Sequence, residues 1–177
     1  MYPIPTHLKN HFIVDEEKTE EHWLVGKAKC NCGCEKLKMR YFGCEETDKE
    51  GKKYLTIEHY EDGFASVVRG ECADCGENFD LYDLSKYGYA GFVNQEGRAV
   101  PDDILKYYQC ECGGDSFEAV IMIELEDKEQ FIEEIVEYEP EKFKADDYVD
   151  SYDWITISIR CCGCKKTTER WYDLELS

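Results

Sequence analysis

The chain has 177 residues, of which 42% are hydrophobic and 14% aromatic, a composition typical of one globular domain or two small ones. Its 40 acidic and 21 basic residues give a formal net charge of −19, which disfavours general nucleic-acid binding and attachment to an anionic membrane. No apolar run approaches the roughly 20 residues that span a bilayer, and the N-terminus lacks the features of a secretory signal, so we expect a cytoplasmic protein with reduced thiols.

Three segments are predicted along the chain. Residues 1–22 form a polar lead-in, residues 23–90 a first unit, and residues 91–177 a second unit. The first unit carries Cys30-Asn31-Cys32-Gly33, answered later by Cys72-Ala73-Asp74-Cys75. The turn-rich stretch from Gly88 to Pro101 is predicted to join the two units.

The second unit repeats this cysteine pattern. Cys110-Glu111-Cys112-Gly113 follows the first leading pair at an offset of 80 residues, and Cys161 and Cys164 follow the closing pair at an offset of 89. Tyr82-Asp83-Leu84 returns as Tyr172-Asp173-Leu174 at an offset of 90. A unit repeated in this order predicts an internal duplication, with extra residues between Cys112 and Cys161.

Both units are predicted to be mainly β. Apolar and polar residues alternate in segments 36–41 and 117–125, and the segments 54–60, 64–69 and 154–160 also have the pattern of strands. Each closing cysteine pair is followed by a further strand-like segment. We therefore expect two tandem antiparallel units, each made of a cysteine pair, a strand, a return strand, a second pair and a closing strand.

The additional segment of the second unit is strongly acidic. From Glu124 to Asp153 there are 13 acidic and 3 basic residues. Asp127 to Gln130 resembles a capping box, and apolar residues at helical spacing follow it, so residues 127–138 are predicted to form a short amphipathic helix that ends before Pro140. This helix covers one edge of a sheet or offers an acidic surface to a basic partner.

Each unit offers four thiols in two close pairs, which is the donor set of a structural zinc ion. The arrangement resembles the zinc ribbon, in which antiparallel strands bring two cysteine-bearing turns to one ion. The resemblance implies two zinc ions per chain, bound by eight cysteines: Cys30, Cys32, Cys72, Cys75, Cys110, Cys112, Cys161 and Cys164. Four thiolates also suit iron, which is the main alternative metal, and a disulfide-linked secreted protein is the alternative without metal.

The sequence departs from the zinc-ribbon pattern in two respects. The leading pairs have one intervening residue instead of two, and Lys165 stands where a Gly is expected. Three further thiols, Cys34, Cys44 and Cys162, lack a required counterpart. Cys34 competes with Cys30 as a ligand, and Cys162 competes with Cys161; we favour Cys30 and Cys161 because both copies contain them.

The pattern predicts no catalytic residues. Four sulfurs fill the zinc shell, whereas catalytic zinc keeps an open position. We therefore expect a non-catalytic zinc-binding protein whose partner is another protein. Two alternatives remain: a thiol redox protein or redox-sensing zinc switch, and a nucleic-acid factor that would use Lys36, Lys38, Arg40, Lys52 and Lys53.

Overall fold

The computed structural model describes residues 1–176 and confirms a mainly β fold, with 39% strand and 15% helix. One open sheet contains eleven strands, and β6 and β7 form a separate hairpin. The strands are β1 Phe12–Val14, β2 Trp23–Ala28, β3 Leu37–Phe42, β4 Cys44–Thr47, β5 Lys53–Thr56, β6 Glu58–Tyr60, β7 Gly63–Ala65, β8 Val67–Cys72, β9 Asn78–Asp83, β10 Lys106–Tyr107, β11 Phe117–Glu124, β12 Trp154–Cys161 and β13 Thr167–Glu175.

Helical segments are short. The predicted helix of the acidic segment is present as an α-helical turn, α1, Lys128–Phe131, continued by the π-helical turn Ile132–Val136. The Asp127 side chain accepts a hydrogen bond from the Gln130 N–H at 3.0 Å, which caps the first turn as the sequence indicates. The other segments are 3₁₀ turns at Thr6–Leu8, Asp102–Ile104 and Ala145–Asp150 and a π-helical turn at Tyr89–Val93.

The two halves meet at equivalent residues. In the order β9-β8-β3-β11-β12-β13, the central contact is antiparallel and pairs Leu37 with Phe117, which are 80 residues apart and occupy the same place in the repeat. Leu37 also pairs with Cys72, and Phe117 with Cys161. A pairing of equivalent residues in opposite directions relates the halves by a pseudo-two-fold axis at this point.

The halves also exchange strands across this axis. Gly26 of β2 pairs with Ile121 of β11, and Lys106 of β10 pairs with Tyr41 of β3. These two pairings are equivalent, since each position is displaced by 80 residues in its counterpart. The strand that precedes each leading cysteine pair therefore pairs with a strand of the other half. The hairpin of β4 and β5 also joins the other half, because Leu55 of β5 pairs with Tyr172 of β13.

A β-bulge explains the change of offset from 89 to 90. Both closing hairpins are irregular at the same place, between Val68 and Arg69 in β8 and between Ile157 and Ile159 in β12. The second copy carries one more residue there, Arg170, which has φ +48° and donates its backbone N–H to Ser158 Oγ at 2.9 Å. The extra residue restores the register, so that Tyr82 and Tyr172 are both buried.

One hydrophobic core serves both halves. The alternating residues of β11 and β12 that the sequence places on one face are buried, as are Leu37 and Met39 of β3. The predicted lead-in also contributes, because Leu8 and Phe12 are buried and β1 pairs with β2. A sheet that both halves share does not show whether each half folds as a separate unit, so the domain boundaries remain a prediction.

The long connection differs between the copies. After β3 it forms β4 to β7, whereas after β11 it forms α1 and the turns up to Asp150. In the acidic segment Phe131 and Phe143 are both buried and their rings are 6.3 Å apart, and Phe143 also packs against Phe92 at 5.5 Å. Within residues 1–176, no helix is long and apolar enough to cross a bilayer.

Candidate metal centres

The leading cysteine pair of each copy lies in a tight turn. In the first copy the Cys30 N–H donates to the Cys34 carbonyl at 2.8 Å, and the Gly33 N–H donates to the Cys30 carbonyl at 2.9 Å. Gly33 has φ +89°, a left-handed conformation that costs a glycine little. The second copy repeats these contacts at Cys110–Gly114, 2.9 Å, and Gly113–Cys110, 2.8 Å, with φ +89° at Gly113.

The closing pair of each copy lies in a second repeated turn. The Cys72 N–H donates to the Glu77 carbonyl at 2.8 Å, and the Gly76 N–H to the Cys72 carbonyl at 3.0 Å. The equivalent bonds in the second copy run from Cys161 to Lys166 and from Lys165 to Cys161, both at 3.0 Å. Lys165 adopts φ +64°, close to the +75° of Gly76, so the sequence departure at this position leaves the turn unchanged.

The sulfurs of these turns converge into two quartets. Cys30, Cys32, Cys72 and Cys75 form one, and Cys110, Cys112, Cys161 and Cys164 form the other, with all ligand atoms of a quartet within 4.8 Å of one another. The closest Sγ–Sγ pairs are 3.4 and 3.6 Å apart in the first quartet and 3.6 Å in the second. A tetrahedron with zinc–sulfur bonds of about 2.3 Å has edges of about 3.8 Å, so both quartets fit such an ion.

All eight predicted ligand cysteines therefore lie in quartets, as the repeat pattern indicates; their role as metal ligands remains a prediction. No cysteine within the described residues is in a disulfide. Cys34, Cys44 and Cys162 lie outside both quartets. Cys34 Sγ instead accepts a hydrogen bond from the Lys36 N–H at 3.4 Å, and the Cys162 N–H donates to the Ser116 carbonyl at 2.9 Å.

The first cysteine of each closing turn favours thiolate, which is the form that binds metal, whereas burial and the Glu77 hydrogen bond raise the pKa of Cys30. Burial opposes ionisation of Cys72, but the backbone N–H groups of Cys75 and Asp74 outweigh it and lower the pKa of this thiol to about 6. At Cys161 the N–H of Cys164 has the largest effect, and it lowers the pKa to about 7 against the opposing effect of burial. The closing turn thus provides each quartet with one cysteine that ionises readily to thiolate.

Two charged side chains next to the quartets could not be singled out from the sequence. Glu77 Oε2 lies 2.9 Å from Cys30 Sγ, and Glu77 Oε1 accepts a hydrogen bond from Asn31 at 2.6 Å. Lys166, which takes the place of Glu77 in the second copy, reaches Glu111 at 3.1 Å. Charged residues are so abundant in this chain that only the repeated turn identifies Glu77 and Lys166 as equivalent positions.

A cleft adjoins the second quartet. It has a volume of about 520 Å³ and lies between the β4–β5 hairpin of the first half and the Cys110 turn. A smaller cleft of about 230 Å³ continues it and shares Lys53, Tyr108 and Glu111. Tyr107 lines this second cleft, and 54% of its surface is exposed.

Comparison with known proteins returns no relative. No protein-family model matches the chain, and neither the curated proteins nor the solved structures contain a significant match. The two cysteine quartets are therefore the features from which a function can be argued.

Proposed function

We propose that the chain is a zinc-binding protein with two structural zinc ions and that it acts as a protein-interaction module. This proposal rests on the two sulfur quartets. Both are built on the same backbone turns, and their sulfur atoms are separated by similar distances. A zinc ion in each quartet would supply a redox-inactive cross-link between the leading and closing turns. Zinc suits cysteine pairs that are separated by long strands better than iron does.

Closed sulfur shells favour a structural over a catalytic role. Four cysteines complete a tetrahedral shell, and no ligand position is left for water or substrate. The long loops between the pairs add little to the cost, since closure entropy rises by only about 0.6 kcal/mol for each doubling of loop length. Metal binding worth roughly 10–16 kcal/mol in small zinc peptides exceeds that cost.

The cleft beside the second quartet supports the interaction role. Tyrosine has an apolar ring and a polar hydroxyl, and it is enriched in protein–protein interfaces. Tyr107 is exposed at the smaller cleft that continues the larger one, and its hydroxyl donates to Glu71 at 2.6 Å, which holds the ring in place. The guanidinium of Arg40 lies 5.2 Å from the centre of the same ring.

Two of the five basic residues that a nucleic-acid factor would use, Lys38 and Arg40, form ion pairs with acidic neighbours. Arg40 is buried and lies 3.0 Å from Asp102, and Lys38 lies 3.7 Å from Asp115. Each ion pair neutralises a cation that phosphate binding would need. A protein partner therefore remains the favoured proposal.

Native mass spectrometry of the purified chain tests the metal assignment. We expect two zinc ions per chain, and one in either the Cys72→Ser or the Cys161→Ser variant. The matched control is Cys44→Ser, because Cys44 lies outside both quartets, and this variant keeps two ions. Iron in place of zinc, or two ions retained in both ligand variants, would contradict the assignment.

Crosslinking in the native cell tests the interaction role. We expect the full chain to capture a partner protein. The Tyr138→Ala variant is the control and should capture the same partner, because this tyrosine is 81% exposed and lies in the acidic segment. Tyr107→Ala should lose the same partner. Equal capture by both variants would exclude the cleft as the binding surface.

A further inference from the structure

The two quartets differ in the charge that lies next to the same sulfur position. Cys30 and Cys110 are equivalent, and each is the first ligand of its turn. In the first centre the Cys30 thiol donates a hydrogen bond to Glu77 Oε2 at 2.9 Å, so this carboxylate lies directly against the sulfur. In the second centre the equivalent residue is Lys166, which lines the same cleft as Cys110 and whose ammonium forms an ion pair with Glu111 at 3.1 Å.

The repeated closing turn makes this comparison well defined. Glu77 and Lys166 both accept a backbone hydrogen bond from the first cysteine of their turn, at 2.8 and 3.0 Å. Their backbones are thus held in the same way, and the side chains alone differ. Asn31 further fixes the Glu77 carboxylate against the sulfur, with a hydrogen bond of 2.6 Å.

A zinc ion with four thiolates carries a net charge of −2, so neighbouring charge affects how firmly it is held. A carboxylate in contact with a thiolate repels it, and its oxygen is also a zinc donor that can replace sulfur during ligand exchange. The Lys166 ammonium at the second centre offers no lone pair to zinc, and its ion pair with Glu111 adds no net charge there. The Glu77 carboxylate therefore makes the first centre the easier one to empty.

We infer that the first centre is an exchangeable zinc site and that the second is a permanent one. This inference rests on the proposed zinc binding and adds to it a difference in exchange: the first centre exchanges zinc with its surroundings, while the second retains its ion. The Glu77 carboxylate is the group that sets the difference.

Transfer of zinc from the loaded chain to a chromogenic chelator, 4-(2-pyridylazo)resorcinol, tests the inference. We expect two kinetic phases whose rates differ by about tenfold, the effect of one close charge at a partly exposed site. Alkylation of the freed thiols during the fast phase, read by peptide mass spectrometry, should mark Cys30 and Cys75 before Cys110 and Cys164. A single phase, or earlier marking of the second centre, would overturn the inference.

Three variants sharpen the test. Glu77→Gln should slow the fast phase several-fold, and the exchange of charges in Glu77→Lys with Lys166→Glu should reverse the order of release. Glu35→Gln is the matched control, because this carboxylate lies in the same turn region but contacts Lys27 at 3.3 Å, and it should leave both rates unchanged. An unaltered fast phase in Glu77→Gln would contradict the role of the carboxylate.

The outcome is separable from that of the proposed function. A chain that binds fewer than two zinc ions before the chelator is added would refute the metal assignment. A chain that binds two ions and releases them at one rate would refute only the difference in exchange.

Discussion

The two cysteine centres share the hydrogen bonds of their backbone turns but differ in the side chains next to them. Equivalent turns have hydrogen bonds of 2.8 to 3.0 Å in both copies, whereas Gly76 is matched by Lys165 and Glu77 by Lys166. The comparison teaches that the ligand shell is built by turn geometry, which tolerates these changes. The charge beyond the shell is then free to differ, as it does between Glu77 and Lys166.

The largest effect is expected from loss of one centre. Because the two halves share one sheet and exchange strands, Cys72→Ser or Cys161→Ser should each destabilise the whole chain, on the order of 5 kcal/mol, rather than one half. Chemical denaturation followed by both far-UV circular dichroism and tyrosine fluorescence should show a single transition. Two separate transitions, one of them unchanged, would show instead that the halves fold independently.

The next effect tests the pseudo-two-fold contact. Leu37 and Phe117 are fully buried where the halves pair. Leu37→Ala should cost about 2–5 kcal/mol and Phe117→Ala about 3–5 kcal/mol of unfolding free energy, since each leaves a cavity at the axis. Ile13→Ala, in an exposed position of β1, should change stability little. Comparable stability of the axis variants and this control, measured by urea denaturation, would contradict the contact.

A smaller effect distinguishes the two long connections. The second one buries Glu126, whose pKa burial raises from 4.5 to about 7, although the Ser151 hydroxyl donates a hydrogen bond to it. The folded chain therefore binds more protons than the unfolded chain between these pH values, and stability falls as pH rises through this window. The first connection buries Ser66, a neutral group.

Glu126→Gln should remove this cost. At pH 8 the variant is expected to be more stable by on the order of 1 to 2 kcal/mol, after allowance for partial solvent screening, and the gain should disappear near pH 4.5. Thermal unfolding over this pH range measures it. Glu129→Gln, an exposed change in the same segment, should show no such pH dependence; a gain that is independent of pH in Glu126→Gln would refute the buried charge.

The smallest effect compares the closing turns. Lys165 holds φ +64° without being a glycine, so Lys165→Gly should stabilise the chain by up to about 1 kcal/mol. Gly76→Ala places a side chain at φ +75° and should destabilise by a similar amount. Melting temperatures of the zinc-bound proteins should shift in opposite directions. A shift in the same direction for both would mean that the turns are not equivalent.

Much of this construction could be predicted from the sequence. The offsets of 80 and 89 residues identify the eight sulfurs that converge, because a ligand shell needs several residues in a fixed pattern. Alternation identifies β11 and β12, whose apolar face is buried. The change of offset to 90 also has a structural cause, the bulge at Arg170.

Other features could not be predicted because they depend on distant parts of the chain. The two residues of β10, Lys106 and Tyr107, carry no strand pattern, and their place is set by β3 of the other half. Leu8 lies in a segment of polar composition, yet the core buries it. Glu77 is one of 40 acidic residues, and its contact with Cys30 depends on how two turns meet.

Zinc K-edge X-ray absorption on the purified chain tests the central claim most directly, since it reports the atoms around the metal itself. We expect two zinc ions per chain, each with four sulfur neighbours at about 2.3 Å and no lighter ligands. Nitrogen or oxygen atoms in the average shell, or a chain that binds no zinc at these cysteines, would contradict it.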